Sequence, residues 1–306
     1  LRMPLFAGLA LVLALTDLWI VGFTLYRVRP AEEVLAEGRE AAEWLAAQPG
    51  PFRVYSPSYS VPQHTGAVYG IETVDGVDPF QLAGYAAFMR RATGVDIPGY
   101  SVTIPSFPEL AAGEEMLLAH RGVIPGLELL GLLNVQYLAA AYPVAAEGLT
   151  PLGVRGGVYL YRNELALPRA FVRGSGGDEE RGRWGEEERR EVRIVEWTPN
   201  RIVVEAEGPG LLVLSEVYDP DWRATTGGVA AEVVRVESIL RGVYLDAGPH
   251  QVVLTYWPAG LRMGLGAMAV GWLCVAALWL RAAFLRRRIV TAHPPVLARI
   301  TIRARG

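Results

Sequence analysis

Two stretches of the chain are apolar almost without interruption, and they lie at its two ends. From Met3 to Tyr26 the only ionisable side chain before the tyrosine is Asp17, and from Met263 to Leu280 there is none. A helix needs about 20 apolar residues to cross the roughly 30 Å hydrocarbon core of a bilayer. The first stretch meets this. The second does so once Ala259 to Leu261 are counted with Arg262 and Arg281, whose long stems reach back to the interface. Transmembrane helices are therefore expected over 1–27 and 259–285. The first is too long for the apolar region of a signal peptide, and no small-x-small cleavage site follows it.

Between the spans the pattern changes twice. Residues 31–47 predict one amphipathic helix, with Val34, Leu35, Ala41, Ala42, Trp44 and Leu45 near helical spacing. Gln48-Pro49-Gly50-Pro51 stops it. Phe52 to Tyr55 reads as a strand and 56–79 as loop. Helices are expected over Phe80 to Arg91, Glu109 to Arg121 and Gly126 to Leu133. Strands are expected at Val135 to Ala139, Val158 to Tyr161 and Ala170 to Val172. This mixture makes 28–173 an α/β subdomain. Residues 174–191 are dense in Glu and Arg and read as a charged linker.

From 192 to 258 the signal is all β. Strands at Arg201 to Glu207, Leu211 to Val217, Val229 to Val236, Gly242 to Leu245 and Gln251 to Tyr256 are separated by turn residues. Those turns are Gly208-Pro209-Gly210, Asp219-Pro220-Asp221, Gly227-Gly228 and Ala247-Gly248-Pro249. The expected element is a β-sandwich whose core includes Leu212, Leu214, Val233, Val243, Val253 and Tyr256. Tyr256-Trp257 then meets the membrane, where aromatic belts belong. The fold class is membrane-anchored α+β: two transmembrane helices flank an α/β subdomain followed by a β-sandwich, with a basic tail over 286–306.

Charge adds an orientation. The 306 residues carry a net charge of -3 with no lysine, so every basic group except histidine is arginine. Arg281, Arg286, Arg287 and Arg288 follow the second span, against Arg262 before it. The positive-inside rule places the C-terminus in the cytoplasm and 28–258 outside. The first span points weakly the other way, with Arg27 and Arg29 after it. The charge is too small and too mixed for a nucleic-acid partner. Cys274 is the single cysteine, so no disulfide framework exists. The chain opens on leucine and reads as the C-terminal piece of a longer protein.

Most catalytic chemistry is missing from the pattern. His64, His120, His250 and His293 show no metal-ligand spacing, and no cofactor motif occurs. Glu72, Asp75 and Asp78 make a loop cluster of carboxylates, a solvated arrangement or an acid-base one. Asp17 lies at membrane depth, where a carboxylate needs protein or water beside it. It marks either a relay near a lipid-linked substrate or a contact to a neighbouring span. Trp222 ends a strand after a tight turn. It is either a lid over the core or a stacking face for a sugar, with Arg223 and Arg241 as hydrogen-bond donors.

Several distinct short blocks follow one another in order along the chain. They are Asp17-Leu18, Phe52-Arg53-Val54-Tyr55, Gly84-Tyr85, Leu129 to Leu138 with Asn134 and Tyr137, Tyr161-Arg162-Asn163, and Leu167 to Val172 with Pro168 and Arg169. Gly210 to Ala224, which holds Asp219-Pro220-Asp221-Trp222, is the strongest. Leu240-Arg241-Gly242-Val243 and Ala247 to Val252 with His250 close the set. Together they resemble the C-terminal part of the YfhO-type bacterial membrane proteins, of the C-type glycosyltransferase superfamily, from Asp17 to about Gly264. Two positions depart from that pattern: Asp221 stands where glycine is usual, and Gly227-Gly228 replaces an Asp-Gly turn.

The resemblance implies an extracytoplasmic accessory domain of a membrane glycosyltransferase acting on cell-envelope polymers or lipids. Its partners would be the bilayer, upstream transmembrane helices of the same protein, a polyprenyl-phosphate-linked sugar and a cell-envelope acceptor. The catalytic acid of such enzymes lies in an early loop that this chain lacks, so no catalytic residue is assigned. The alternative is a non-enzymatic carbohydrate-binding or scaffold module at the cell surface.

Overall fold

The computed structural model describes residues 3–25, 28–109, 115–174 and 189–292. Helix α1 (Met3–Leu25) opens it, and none of its apolar window Phe6–Phe23 is buried against the body. The helix expected over 31–47 is two, α2 (Ala31–Ala36) and α3 (Arg39–Ala46), broken at Gly38 with φ 66°. Helix α3 sinks Ala41, Ala42 and Leu45, the apolar stripe the spacing foretold. Strand β1 (Arg53–Tyr55) follows.

The stretch 56–79, expected as loop, holds helix α4 (Gln63–Tyr69) and two short strands, β2 (Glu72–Thr73) and β3 (Gly76–Val77). These pieces are too short to display a period. Helix α5 (Ala83–Thr93) and strand β4 (Thr103–Ile104) come next. Of the helix expected over 109–121, residues 110–114 lie outside the described residues. The described part holds one 3-10 turn, Met116–Leu118.

Helix α6 (Leu127–Leu132) leads into β5 (Val135–Ala140), β6 (Leu149–Arg155) and β7 (Val158–Asn163). A five-stranded sheet results, in the order β2-β1-β5-β7-β6. Strand β1 runs parallel to β2 and β5, and the other pairs are antiparallel.

Strand β8 (Ala170–Arg173), expected in this mixed subdomain, pairs instead with a strand of the C-terminal sheet. Of the charged linker, 175–188 lie outside the described residues, and its end is strand β9 (Arg189–Glu191), paired with β8. The sheet continues with β10 (Arg193–Thr198), β11 (Arg201–Val217), β12 (Trp222–Thr226), β13 (Val229–Ala231), β14 (Val234–Val236) and β15 (Leu240–Tyr256). Gly227 and Gly228 both adopt positive φ between β12 and β13. The hairpin therefore survives the departure from Asp-Gly.

The strands β11 and β15 are each 17 residues long and run through the places expected to be turns. The reason is that the two interruptions face each other: Glu207 pairs with Pro249 and Gly208 with Gly248. Both strands kink at one level, so the ladder bends without ending. A Cβ at Gly208 would meet the Asp246 carbonyl oxygen at 1.7 Å, so only glycine permits the approach. One continuous sheet results, folded on itself. Ile202, Val204, Val252 and Leu254 on one arm and Leu212, Leu214 and Val243 on the other share a core.

The bend also changes parity. Gly208 pairs with Gly248 but Gly210 with Leu245, so β15 carries one extra residue there. A one-residue insertion moves later side chains to the opposite face. Hence Val243 is buried as expected, while beyond the bend Val252 and Leu254 are buried in place of Val253. Val233 and Tyr256 pack partly against this core.

The outer face of β11 joins the two parts of the body. Leu211 and Val213 pack with Tyr55, Leu130, Leu138 and Phe171 in a core that also takes in Val236, Ile239 and Leu240. Residues 211–215 are thus buried on both faces, which is why they read as an unbroken apolar run. Helix α7 (Ala259–Ala292) ends the described chain, and its window Ala259–Phe284 is unburied. It extends past the expected end at 285, and 293–306 of the basic tail lie outside the described residues.

Candidate functional site

Folding the sheet places both ends of β15 at one end of the body. Its last residues run through Trp257 and Pro258 into α7. Its first residues turn back toward the same place, as one contact shows. The Arg241 guanidinium, at the start of β15, stacks 3.9 Å over the Trp222 ring, which in turn lies 5.2 Å from Tyr256 at the end of β15. A second arginine crosses the fold in the same way, Arg169 standing 5.0 Å over Trp197. Both contacts are cation–π stacks that close the open mouth of the sheet.

Glu216 sits where these arginines meet the α/β subdomain. Its Oε1 accepts from Arg53 Nη2 at 2.6 Å and from Arg169 Nε at 2.9 Å, with Arg169 Nη2 2.7 Å away, and its Oε2 lies 3.7 Å from Arg241 Nη2. Arg53 also donates to the Ser215 and Leu133 carbonyls. Glu72 supplies a second carboxylate, its Oε2 2.8 Å from Arg169 Nη2 and 3.3 Å from Arg53 Nε. Three guanidinium groups therefore face two carboxylates. Arg169 and Arg241 are only 5% and 4% exposed. Burial, the largest influence, lowers the Arg241 pKa to about 10, against the opposing pull of Glu216.

Of the proposed ligand residues, Arg241 alone belongs to this cluster. Trp222 is 9% exposed and packs in the folded-sheet core beneath Arg241. The Arg241 guanidinium covers one face of its ring. Arg223 is exposed, because alternation along β12 sends it away from Trp222.

The motif residues hold the scaffold. Asn134, at φ 61°, donates to the Leu167 carbonyl, and Asn163 donates to the Leu127 and Val135 carbonyls. The Pro168 carbonyl accepts from Ser215 Oγ, fixing the residue before Arg169. Tyr137 is edge-on to Trp44 and Phe52. His250 Nε2 lies 2.8 Å from the Asp246 carbonyl at the bend. Asp17 is exposed on α1.

Pro220 is exposed in its turn, and the neighbouring Asp221 Oδ2 accepts the Ala259 N–H at 2.8 Å. The residue that departs from the family pattern thus caps the membrane helix.

Sequence reasoning missed Arg53 and Glu216 as site residues and read Glu72 only within a cluster of loop acids. The one local signal was a carboxylate, Glu216, inside the apolar run 211–217. The three loop acids do not cluster: Glu72 joins the arginines, and Asp78 accepts the Phe80 N–H. Asp75 is buried apart from the other two and accepts the Ser56 N–H. Burial pushes its carboxyl up to about 8. The void lined by Tyr55, Thr93 and His120 has room for roughly one water.

The fold and this seam define a membrane protein with an α+β body held between two membrane-length helices. Residues 186–267, which run from the end of the charged segment into α7 and include Glu216, Trp222 and Arg241, match the family model for the bacterial membrane protein YfhO. No curated protein and no solved structure matches the chain.

Proposed function

We propose that the chain is the extracytoplasmic accessory part of a YfhO-like membrane glycosyltransferase, serving cell-envelope polymers or lipids with lipid-linked sugar donors. The observation that carries this reading is the seam itself. A guanidinium-rich cluster lies where β15 passes into a membrane helix, inside the segment that matches the YfhO family model. The arginines at 281 and 286–288 support a cytoplasmic C-terminus and an outer body. Transfer itself is assigned to helices outside this chain. The body covers or orients the acceptor, and with Trp222 buried the arginines are its polar contacts.

The test is made in the native host. Val229, 72% exposed at the β12–β13 hairpin, is replaced by cysteine. A membrane-impermeant maleimide should label Val229→Cys in intact cells, and deleting the whole gene should remove one sugar from an envelope polymer or lipid. Labelling only after lysis overturns the orientation. Unchanged envelope sugars in the deletion strain leave the non-enzymatic scaffold in its place.

A further inference from the structure

We infer that the arginine seam is a seat for one external phosphate group and that the Glu72 carboxylate occupies that seat in its absence. The first observation is a surplus of donors. Among the described residues, Arg169 Nη1, Arg241 Nε and Arg241 Nη1 are buried and meet no acceptor. A guanidinium carries five N–H groups in a fixed fork, and buried donors without acceptors are costly. Nearby acids do not supply the deficit. Glu216 is shared among Arg53, Arg169 and Arg241. The Oδ1 of Asp219 accepts Asp221 N–H, and Asp221 caps α7.

The second observation is the unequal standing of the two carboxylates. Glu216 is 18% exposed and held at short range by two arginines. Glu72 is 52% exposed and rests on the rim of the cluster through Arg53 and Arg169. Glu72 is the more solvated of the two carboxylates, so it is the one an external anion can displace at least desolvation cost. Its Oε2 marks where an anionic oxygen sits between two guanidinium groups. A phosphate offers more oxygens than a carboxylate. It can take the Glu72 position and still present an acceptor to Arg169 Nη1, the unmatched N–H on the guanidinium that Glu72 touches. Position favours this chemistry, because the seam lies beside the entry of α7, where lipid headgroups carry phosphate. The inference does not depend on the transferase reading, since it is tested on binding alone.

The full chain in phosphate-free detergent is titrated with inorganic phosphate by calorimetry, with sodium chloride at equal ionic strength as the control. Wild type should bind phosphate and not chloride. Glu72→Gln should tighten binding roughly twofold to fivefold, because the more solvated competitor is removed. Arg169→Gln should weaken it about tenfold or more, the worth of one charged hydrogen bond. Arg223→Gln, exposed on the other face, should change nothing. The opposite signs at Glu72 and Arg169 are what a merely structural cluster does not produce. Should Arg169→Gln fail to fold, Glu72→Gln still decides: unchanged or weaker affinity there overturns the inference, as does absence of phosphate binding in wild type. Repeating the titration in phosphatidylglycerol and in phosphatidylcholine vesicles identifies the source. Binding suppressed only by phosphatidylglycerol assigns the seat to an anionic lipid headgroup. Equal binding in both assigns it to a soluble phosphate.

Discussion

The α/β subdomain and the seam beneath it bury carboxylates in opposite ways. Asp75 lies among Tyr55, Tyr59 and Tyr85, with no cation paired to it in the described residues, and a backbone N–H is its partner. Desolvation raises its pKa to about 8 and helps push those tyrosines up as well. Glu216 is less deeply buried, with 18% of its side chain exposed, and sits among three guanidinium groups. The first carboxyl answers burial by taking up a proton and the second by recruiting counter-charge. The difference teaches where function concentrates. A protonated acid makes a neutral hydrogen-bonded core, while an ionic cluster keeps charge available at a boundary.

The largest expected effect tests the ionic side of that contrast. Glu216→Gln removes the one carboxylate shared by Arg53, Arg169 and Arg241; it leaves Arg241 without its carboxylate partner and Arg53 and Arg169 with Glu72 alone. Stability should fall by about 3–5 kcal/mol, measured by denaturant unfolding of the whole chain in detergent. A loss within experimental error would mean that the arginines are hydrated and that the seam is not a closed ionic core.

A smaller effect, with a definite pH signature, tests the neutral side. The folded pKa of Asp75 is raised from 3.8 to about 8, so between those values the folded chain holds a proton that the unfolded chain releases. Its stabilising contribution is complete below pH 3.8 and is lost as pH rises through about 8. The slope over that window reaches at most about 1.4 kcal/mol per pH unit for one proton. Asp75→Asn should flatten the fall in unfolding free energy between pH 5 and 8. The same slope in wild type and variant would assign the titration to another group.

The smallest effect marks the edge of the cluster. Arg223 is one residue from Trp222 and shares a strand with it, yet it faces the other way. Arg223→Ala should change stability by no more than about 0.5 kcal/mol, as other exposed substitutions do. A larger loss, read in the same denaturation experiment, would place Arg223 within the seam.

The sequence by itself determined the elements whose evidence is local. A long, nearly unbroken apolar run signals a membrane-length helix from its own residues, and both such helices were legible for that reason. The stripe of Ala41, Ala42 and Leu45, the strands around Val135, Val158 and Leu211, and the glycine hairpin at 227–228 likewise carry their signals within a few residues. Tertiary structure alone decided what depends on segments far apart in the chain. The residues Gly208-Pro209-Gly210 and Ala247-Gly248-Pro249 look like turns separately, and become one bend only because they meet across a ladder. The extra residue in β15 at that bend reverses which valines are buried. Arg53, Arg169 and Arg241 lie on three different strands or strand entries; Arg241 read as a hydrogen-bond donor to a sugar beside Trp222, and nothing local joined it to the other two. The fold brings them onto Glu216, and the charge environment of a side chain is set by those neighbours in space.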